Sequence, residues 1–325
     1  MKESIKQKSN KKVSIVIPIY NNAPSIGELW YKLREELANF PKWKFQVIMV
    51  DDGSSDNSWQ EIVKLSGETV LAVKLSRNFG QLGALKAGYS IATGDAVISI
   101  SADLQDPLYL VTEMINGFKE GFDLVICERT SRNDSFFAAI TSKIAYFFLR
   151  WENPQIPKGG FDVFLFSRRV KEQMDTLNGR FNFLQGDLLS FGYKYKSIPY
   201  HRKNRKYGKS GYNFRKRFRN FQDAILDSNY TLIRLLSNIG YLASIVGLIL
   251  GLIVFIGKIL GRMNVEGYAL IACSVLFIGG IQITLTGLLG QYIWRIYDTL
   301  RNRQPFVIED IVDESQDRKT RDIKV

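Results

Sequence analysis

Residues 13–127 repeat one unit. A short β-branched run stops at a polar loop, and a stretch with helical spacing follows. Val13–Pro18, Phe45–Val50, Val70–Leu75, Ala96–Ile100 and Asp123–Cys127 read as strands. Between them, Ser25–Asn39 places Ile26, Leu29, Trp30, Leu33 and Leu37 on one face. Asp56 is positioned to cap a helix through Trp59, Ile62 and Leu65, and Gln81–Thr93 forms another, closed by Gly94. Alternating units with short loops predict a parallel sheet with helices on both faces. In such sheets ligands bind outside the carboxyl ends of the strands. Three strands end in polar loops there: Pro18–Asn22, Asp51–Asp56 and Ser101–Gln105.

The last loop, Ser101-Ala102-Asp103-Leu104-Gln105-Asp106-Pro107, carries the densest chemistry. If the chain stays extended, Asp103 and Gln105 share one face and offer hard oxygen ligands, suited to Mg2+ or Mn2+ on a diphosphate. The alternative is a polar strand end with Asp106 as a helix N-cap. Asp52 is suited to accept from a base N–H or a ribose hydroxyl. No glycine-rich dinucleotide fingerprint follows the first strand, and Gly208-Lys209-Ser210 lacks the upstream glycine and strand of a P-loop. This argues against a dinucleotide cofactor and ATP hydrolysis. His201 is the single histidine of 325 residues, which excludes a His-based triad or a His-rich metal site. Cys127 and Cys273 lie far apart among apolar residues and read as reduced packing residues.

Ile17–Asn21, Val50–Asp56, Arg77–Gly80 and Ala102–Pro107 occur in an order and at intervals that resemble glycosyltransferase family 2. The nearest likeness is to the polyprenyl-phosphate glycosyltransferases related to dolichol-phosphate mannose synthase. The resemblance implies a GT-A fold (Rossmann-like α/β), a nucleotide-sugar donor, a divalent metal and inversion at the anomeric centre. It implies Pro18, Tyr20, Asn22, Val50, Asp52, Ser101 and Ala102 around the nucleotide-sugar. Asp103 and Gln105 are implied at the metal, and Asp162 with Asp103 in catalysis. Arg129, Arg202 and Lys209 are implied on phosphates. Ser101 departs from the family's usual Asp-x-Asp, which removes one carboxylate and suggests weaker metal binding. Gly159–Arg169 resembles the family's acceptor-side motif, and Ile198–Arg205 with Gly208–Tyr212 its basic loop.

The net charge of +12 concentrates between His201 and Arg219. Interleaved Tyr207, Tyr212, Phe214 and Phe218 suit base stacking, but the run leads into an apolar span, which favours anionic headgroups over nucleic acid. Runs at about 239–260 and 268–289 are each long enough, at about 1.5 Å per residue, to cross a hydrocarbon core of about 30 Å. They predict a two-helix transmembrane hairpin. Basic residues on both flanks, among them Arg295, Arg301 and Arg303, place both ends and the catalytic domain on the cytoplasmic side of a bacterial inner membrane. Gly247 and Gly251 permit close helix contact and hence a homo-oligomer.

The expected organisation is a disordered basic tail (1–12) and a catalytic domain (13–212) in which 135–151 forms a core or interfacial helix. Juxtamembrane helices (213–237), the hairpin (238–294) and a cytoplasmic tail (295–325), disordered from Glu309, follow. The expected activity is transfer of one sugar to a polyprenyl phosphate such as undecaprenyl phosphate. The rivals are a non-catalytic accessory membrane subunit, supported by Ser101 alone, and a processive polysaccharide synthase, disfavoured by the short chain and by the lack of an evident Gln-x-x-Arg-Trp motif.

Overall fold

The computed structural model describes residues 11–130, 157, 160–176, 184–203 and 304–313, with scattered helical positions between 249 and 297. The chain divides into two units, Met1–Arg219 with Gln304–Val325, and Asn220–Arg303.

The first unit is built on an eight-stranded sheet. Its elements are β1 (Lys12–Ile19), α1 (Ala23–Leu37), β2 (Lys44–Asp51), α2 (Ser58–Leu65), β3 (Val70–Leu75), α3 (Gln81–Ile91), β4 (Ala96–Ser99), α4 (Tyr109–Lys119), β5 (Leu124–Arg129), β6 (Val163–Ser167), α5 (Arg168–Thr176), α6 (Leu184–Ser190), β7 (Tyr195–Tyr200) and β8 (Ile308–Val312). The strand order is β7-β5-β6-β4-β1-β2-β3-β8. Strands β3, β2, β1 and β4 pair in parallel, as do β5 and β7, while β6 and β8 run against their neighbours. The α/β expectation therefore holds, with the sheet mostly parallel.

The strands read as continuous apolar runs because helices cover both faces. Val13, Ile15, Ile17 and Ile19 of β1 join one core with Ile26, Leu29 and Leu33 of α1, Ile62 of α2 and Leu110, Met114 and Ile115 of α4. On the opposite face α3 presses so close that a Cβ on Gly88 would stand 2.2 Å from Val16 Cγ1. Gly94 does not close α3 as expected. The helix ends at Ile91, and Gly94 is small because β1 passes it, a Cβ there falling 2.5 Å from the Ser14 nitrogen. The expected first helix starts two residues earlier than its spacing suggested, with Pro24 in its first turn.

Two expectations about the chain's ends change. β1 begins at Lys12, inside the expected tail. Ile308–Val312, expected to be disordered from Glu309 on, forms β8 against β3, with Ala72 opposite Val312 and Leu75 opposite Ile308. Without β8, β3 would present an unpaired edge, and five residues with two acids carry too weak an alternation to be read as a strand. Lys74 pairs with Glu309 across this edge at 3.1 Å.

Among the described residues no helix is long and apolar enough to cross a membrane. The expected helix 135–151, the juxtamembrane helices and nearly all of the two expected spans lie outside the described residues, as does Met1–Asn10.

Candidate active site

Because β1, β2, β3, β4, β5 and β7 point the same way, their polar ends meet at one edge of the sheet. β6 runs against them and starts there, so Asp162 joins the same edge, its neighbour Val163 lying opposite Cys127.

The first two loops are knitted together. The Asn21 and Asn22 amides donate to Ser54 Oγ (3.0 Å) and Ser58 Oγ (2.9 Å), and Ser55 N–H donates to Asn21 Oδ1 (2.8 Å). Asp56 is not the N-cap expected, a place taken by Asn57; it accepts the Ser58 and Ala23 amides and so ties the starts of α1 and α2 together. This leaves Tyr20 exposed beside a floor formed by Asp52. Asp52 is 2% exposed, and its Oδ1 accepts the Phe79 N–H at 2.7 Å. Burial lifts its carboxyl to about 6, against the pull of the Phe79 and Gly80 amides. Burial raises Asp51 too, with Ser54 opposing. The loop after β2 fits against the loop after β3 because Gly53, at φ +66°, carries no Cβ; one would lie 2.6 Å from the Arg77 carbonyl carbon. Pro18 and Val50 face each other across β1 and β2, Val50 wholly buried. Ala102 is buried as well, its carbonyl accepting from Ser25 Oγ.

The loop after β4 is a turn rather than the extended chain expected. Leu104 adopts φ +56°, and Asp103 Oδ1 accepts the Gln105 N–H at 3.2 Å. The Asp103 and Gln105 side chains are therefore neighbours across a turn. Asp103 is 6% exposed and Gln105 half-buried. Nor does Asp106 cap a helix: α4 starts at Tyr109 with Leu108 at its cap. Both oxygens of Asp106 are spent elsewhere, Oδ2 on the Ser101 hydroxyl (2.9 Å) and Oδ1 on the Tyr200 hydroxyl (2.7 Å).

The cations come from β5 and β7, whose ends are in register at Arg129 and Tyr200. Arg129 pairs with Asp162, and its Nε–H reaches Tyr200 Oη at 3.4 Å. Arg202 lies 3.4 Å from Asp106 and 3.8 Å from Asp103, and its buried Nε–H is not aligned for a hydrogen bond to either. The Lys203 N–H donates to the Gln105 carbonyl at 2.9 Å, closing the β7 loop onto the Asp103 turn. Burial raises Tyr200 well above an ordinary phenol, with Asp106 adding to it, so its hydroxyl stays protonated. Lys209 lies outside the described residues.

Sequence reasoning overlooked several groups. Gln185 of α6 donates from Nε2 to the Phe161 carbonyl and, at 3.4 Å, to Asp162 Oδ1. Lys86 of α3, 7% exposed, is pushed down to about 8 by burial and held up by Asp187, which burial pushes up to about 6. Tyr200 fell inside the segment likened to the basic loop but was given no role of its own. Its one signal was its position two residues before the Arg202 already singled out.

The edge thus carries acids on the β2 and β4 loops and cations on the β5 and β7 loops. Among the described residues no group of three or more potential metal-ligating His, Cys, Asp or Glu side chains occurs. A cation here would rest on Asp103, Gln105 and oxygens brought by a ligand.

Sequence comparisons give the same reading. The profile of glycosyl transferase family 2 matches residues 14–220. An undecaprenyl-phosphate 4-deoxy-4-formamido-L-arabinose transferase of Klebsiella pneumoniae is 32% identical over 309 residues, covering 93% of this chain and 94% of that protein. An uncharacterized glycosyltransferase of Synechocystis, sll0501, is 31% identical, covering 92% and 95%. Another from Bacillus subtilis, YkcC, is 32% identical, covering 91% and 93%. The chain is a glycosyltransferase and belongs to glycosyl transferase family 2.

Proposed function

We propose that the protein transfers a single sugar from a nucleotide-sugar to a polyprenyl phosphate such as undecaprenyl phosphate, with inversion, at the cytoplasmic face of a bacterial inner membrane. The observation that carries this reading is the gathering of acids and cations at one edge of the sheet. Asp52 and Asp103 suit the donor, Arg129, paired with Asp162, suits an acceptor phosphate, and Arg202, 3.8 Å from Asp103, suits the phosphates of either substrate.

In this reading the β1 and β2 loops hold the nucleoside, with Asp52 accepting from the base or ribose and Pro18, Tyr20, Asn22, Val50, Ser101 and Ala102 shaping the pocket. Asp103 and Gln105 hold Mg2+ or Mn2+. One carboxylate and one amide suit an ion that takes its other ligands from diphosphate and water. When bound, the metal neutralises charge on the departing nucleoside diphosphate. The acceptor phosphate oxygen forms the new bond to the anomeric carbon as the bond to the diphosphate breaks on the opposite face. A phosphate monoester has its second pKa near 6, so at neutral pH it is mostly dianionic and needs little help from a base. Asp162, fixed by Arg129 and Gln185, orients it or takes its last proton. Arg202 and Lys209 steady phosphates.

A lipid acceptor is supported by the Klebsiella relative, whose name specifies undecaprenyl phosphate and which matches over 94% of its length. It also fits Ile249, Ile259, Ile271, Val275 and Ile278, large apolar side chains exposed at helical positions inside the two expected spans. That stretch forms the hairpin in this reading, and association of copies runs through it.

The test is transfer by the full-length protein in detergent. It uses undecaprenyl phosphate, labelled UDP-, GDP- and dTDP-sugars, and Mg2+ or Mn2+ against EDTA. One lipid product carrying one sugar, lost with EDTA and in Asp103→Ala, is expected. A ladder of products points to a polymer synthase. No product with any donor, from folded protein, overturns the reading.

A further inference from the structure

We propose that Tyr200 and Asp106 are positioning residues that join the donor side of the site to the acceptor side, an inference that rests on the transfer reading above. The Tyr200 ring is 2% exposed, and its hydroxyl sits between two loops. It donates to Asp106 Oδ1 at 2.7 Å and lies 3.4 Å from Arg129 Nε. Arg129 in turn pairs with Asp162. On the other side Asp106 Oδ2 holds the Ser101 hydroxyl at 2.9 Å, two residues before Asp103. A continuous line of polar contacts therefore runs Asp162–Arg129–Tyr200–Asp106–Ser101, through residues at the ends of β4, β5, β6 and β7.

Two features separate this line from a set of ordinary buried contacts. First, both Asp106 oxygens are committed to protein donors, so its carboxylate acts as a joint rather than as a cation ligand, unlike Asp103 three residues earlier. Second, the partners are remote in the chain: Tyr200 and Asp106 are 94 residues apart, and Arg129 and Tyr200 are 71 apart. Arg129 and Tyr200 form the last ladder pair of β5 and β7, and the line extends that pairing to the loop after β4, which the strands alone leave free. Transfer needs the acceptor oxygen and the anomeric carbon within about 3–3.5 Å and in line, and small misplacement lowers the rate steeply. A joint between the two loops sets that separation. It also gives Ser101 a role that needs no carboxylate: its hydroxyl orients Asp106.

Tyr200→Phe removes the hydroxyl and keeps the ring. In the full-length enzyme, kcat is expected to fall about tenfold while KM for the nucleotide-sugar and the metal concentration for half-activity change by less than twofold. Ser101→Ala is expected to lose about threefold in kcat, whatever it does to donor KM, and Ser101→Thr, which keeps the hydroxyl, to keep kcat near wild type. Should Tyr200→Phe fail to fold, the Ser101 pair carries the test alone. Unchanged kcat overturns the proposal, and so does a loss that appears only in donor KM. A second readout needs no turnover. In thermal unfolding, Tyr200→Phe and Asp162→Asn are expected to be non-additive because Arg129 links them, and strict additivity overturns the linkage. An inactive wild type with intact coupling would instead refute the transfer reading and leave the joint standing.

Discussion

Asn in place of Asp52 tests the electrostatics of the floor proposed to receive the donor. Burial lifts this carboxyl from 3.8 to about 6, so keeping it ionised at neutral pH costs the fold about 3 kcal/mol. The folded state binds the proton more tightly than the unfolded chain. Below about pH 3.8 there is no cost; it grows as pH rises towards 6 and is complete above that. Asn keeps the shape and an oxygen for the Phe79 N–H, now 2.7 Å from Oδ1, and removes the charge. Its NH2 replaces an oxygen in a buried place, which costs about 1–2 kcal/mol. Asp52→Asn is therefore expected to be about 1–2 kcal/mol more stable than wild type at pH 7.5 and about 1 kcal/mol less stable at pH 4. Unfolding of the detergent-purified protein at both pH values measures it. Donor binding by calorimetry should weaken below about pH 6 in the wild type, and in the variant should be weaker but flat with pH. A variant destabilised equally at both pH values would refute the argument, because burial would then not be what raises the carboxyl.

Gly88→Ala drives a methyl into Val16 and is expected to cost about 1–3 kcal/mol in unfolding, with Val16→Ala recovering most of it. Deleting residues 304–325 uncovers the β3 edge; light scattering should show aggregation at concentrations where the full chain stays dispersed. Cys127 is buried and its thiol pushed far up by burial, so a thiol-reactive dye should label it only when denaturant is added; fast labelling of the native protein at that position would contradict its place in the core.

The parts of the fold read from the sequence were those set by local pattern. β1, β2 and β3 announce themselves by β-branched runs, and α1 and α2 by apolar spacing, because a buried face imposes its period on the chain. The Asp103 loop was found because acidic residues follow a buried strand. Its shape was misjudged, since nothing local announces that Leu104 turns left-handed. Tyr200, Gln185 and Asp187 escaped notice for a different reason. Their chemistry comes from partners far away in the chain, Asp106, Asp162 and Lys86, and one sequence holds no record of such pairing. β8 was missed on the same ground: its pairing with β3 is non-local, and its own pattern is short and acidic.

β8 is the last strand of the sheet to leave the ribosome, yet it lies beside β3, one of the first. Its neighbour Val307 accepts the Ser76 N–H at 3.0 Å, at the root of the loop whose Phe79 amide holds Asp52. The end of the sheet proposed to receive the nucleotide is therefore finished only after residues 220–303 have been made. If those residues enter the bilayer as proposed, a chain that stalls there would carry an open sheet edge and an unfinished donor floor. Synthesis order would then act as a checkpoint, delaying competence for nucleotide-sugar until the enzyme has reached the membrane that holds its acceptor.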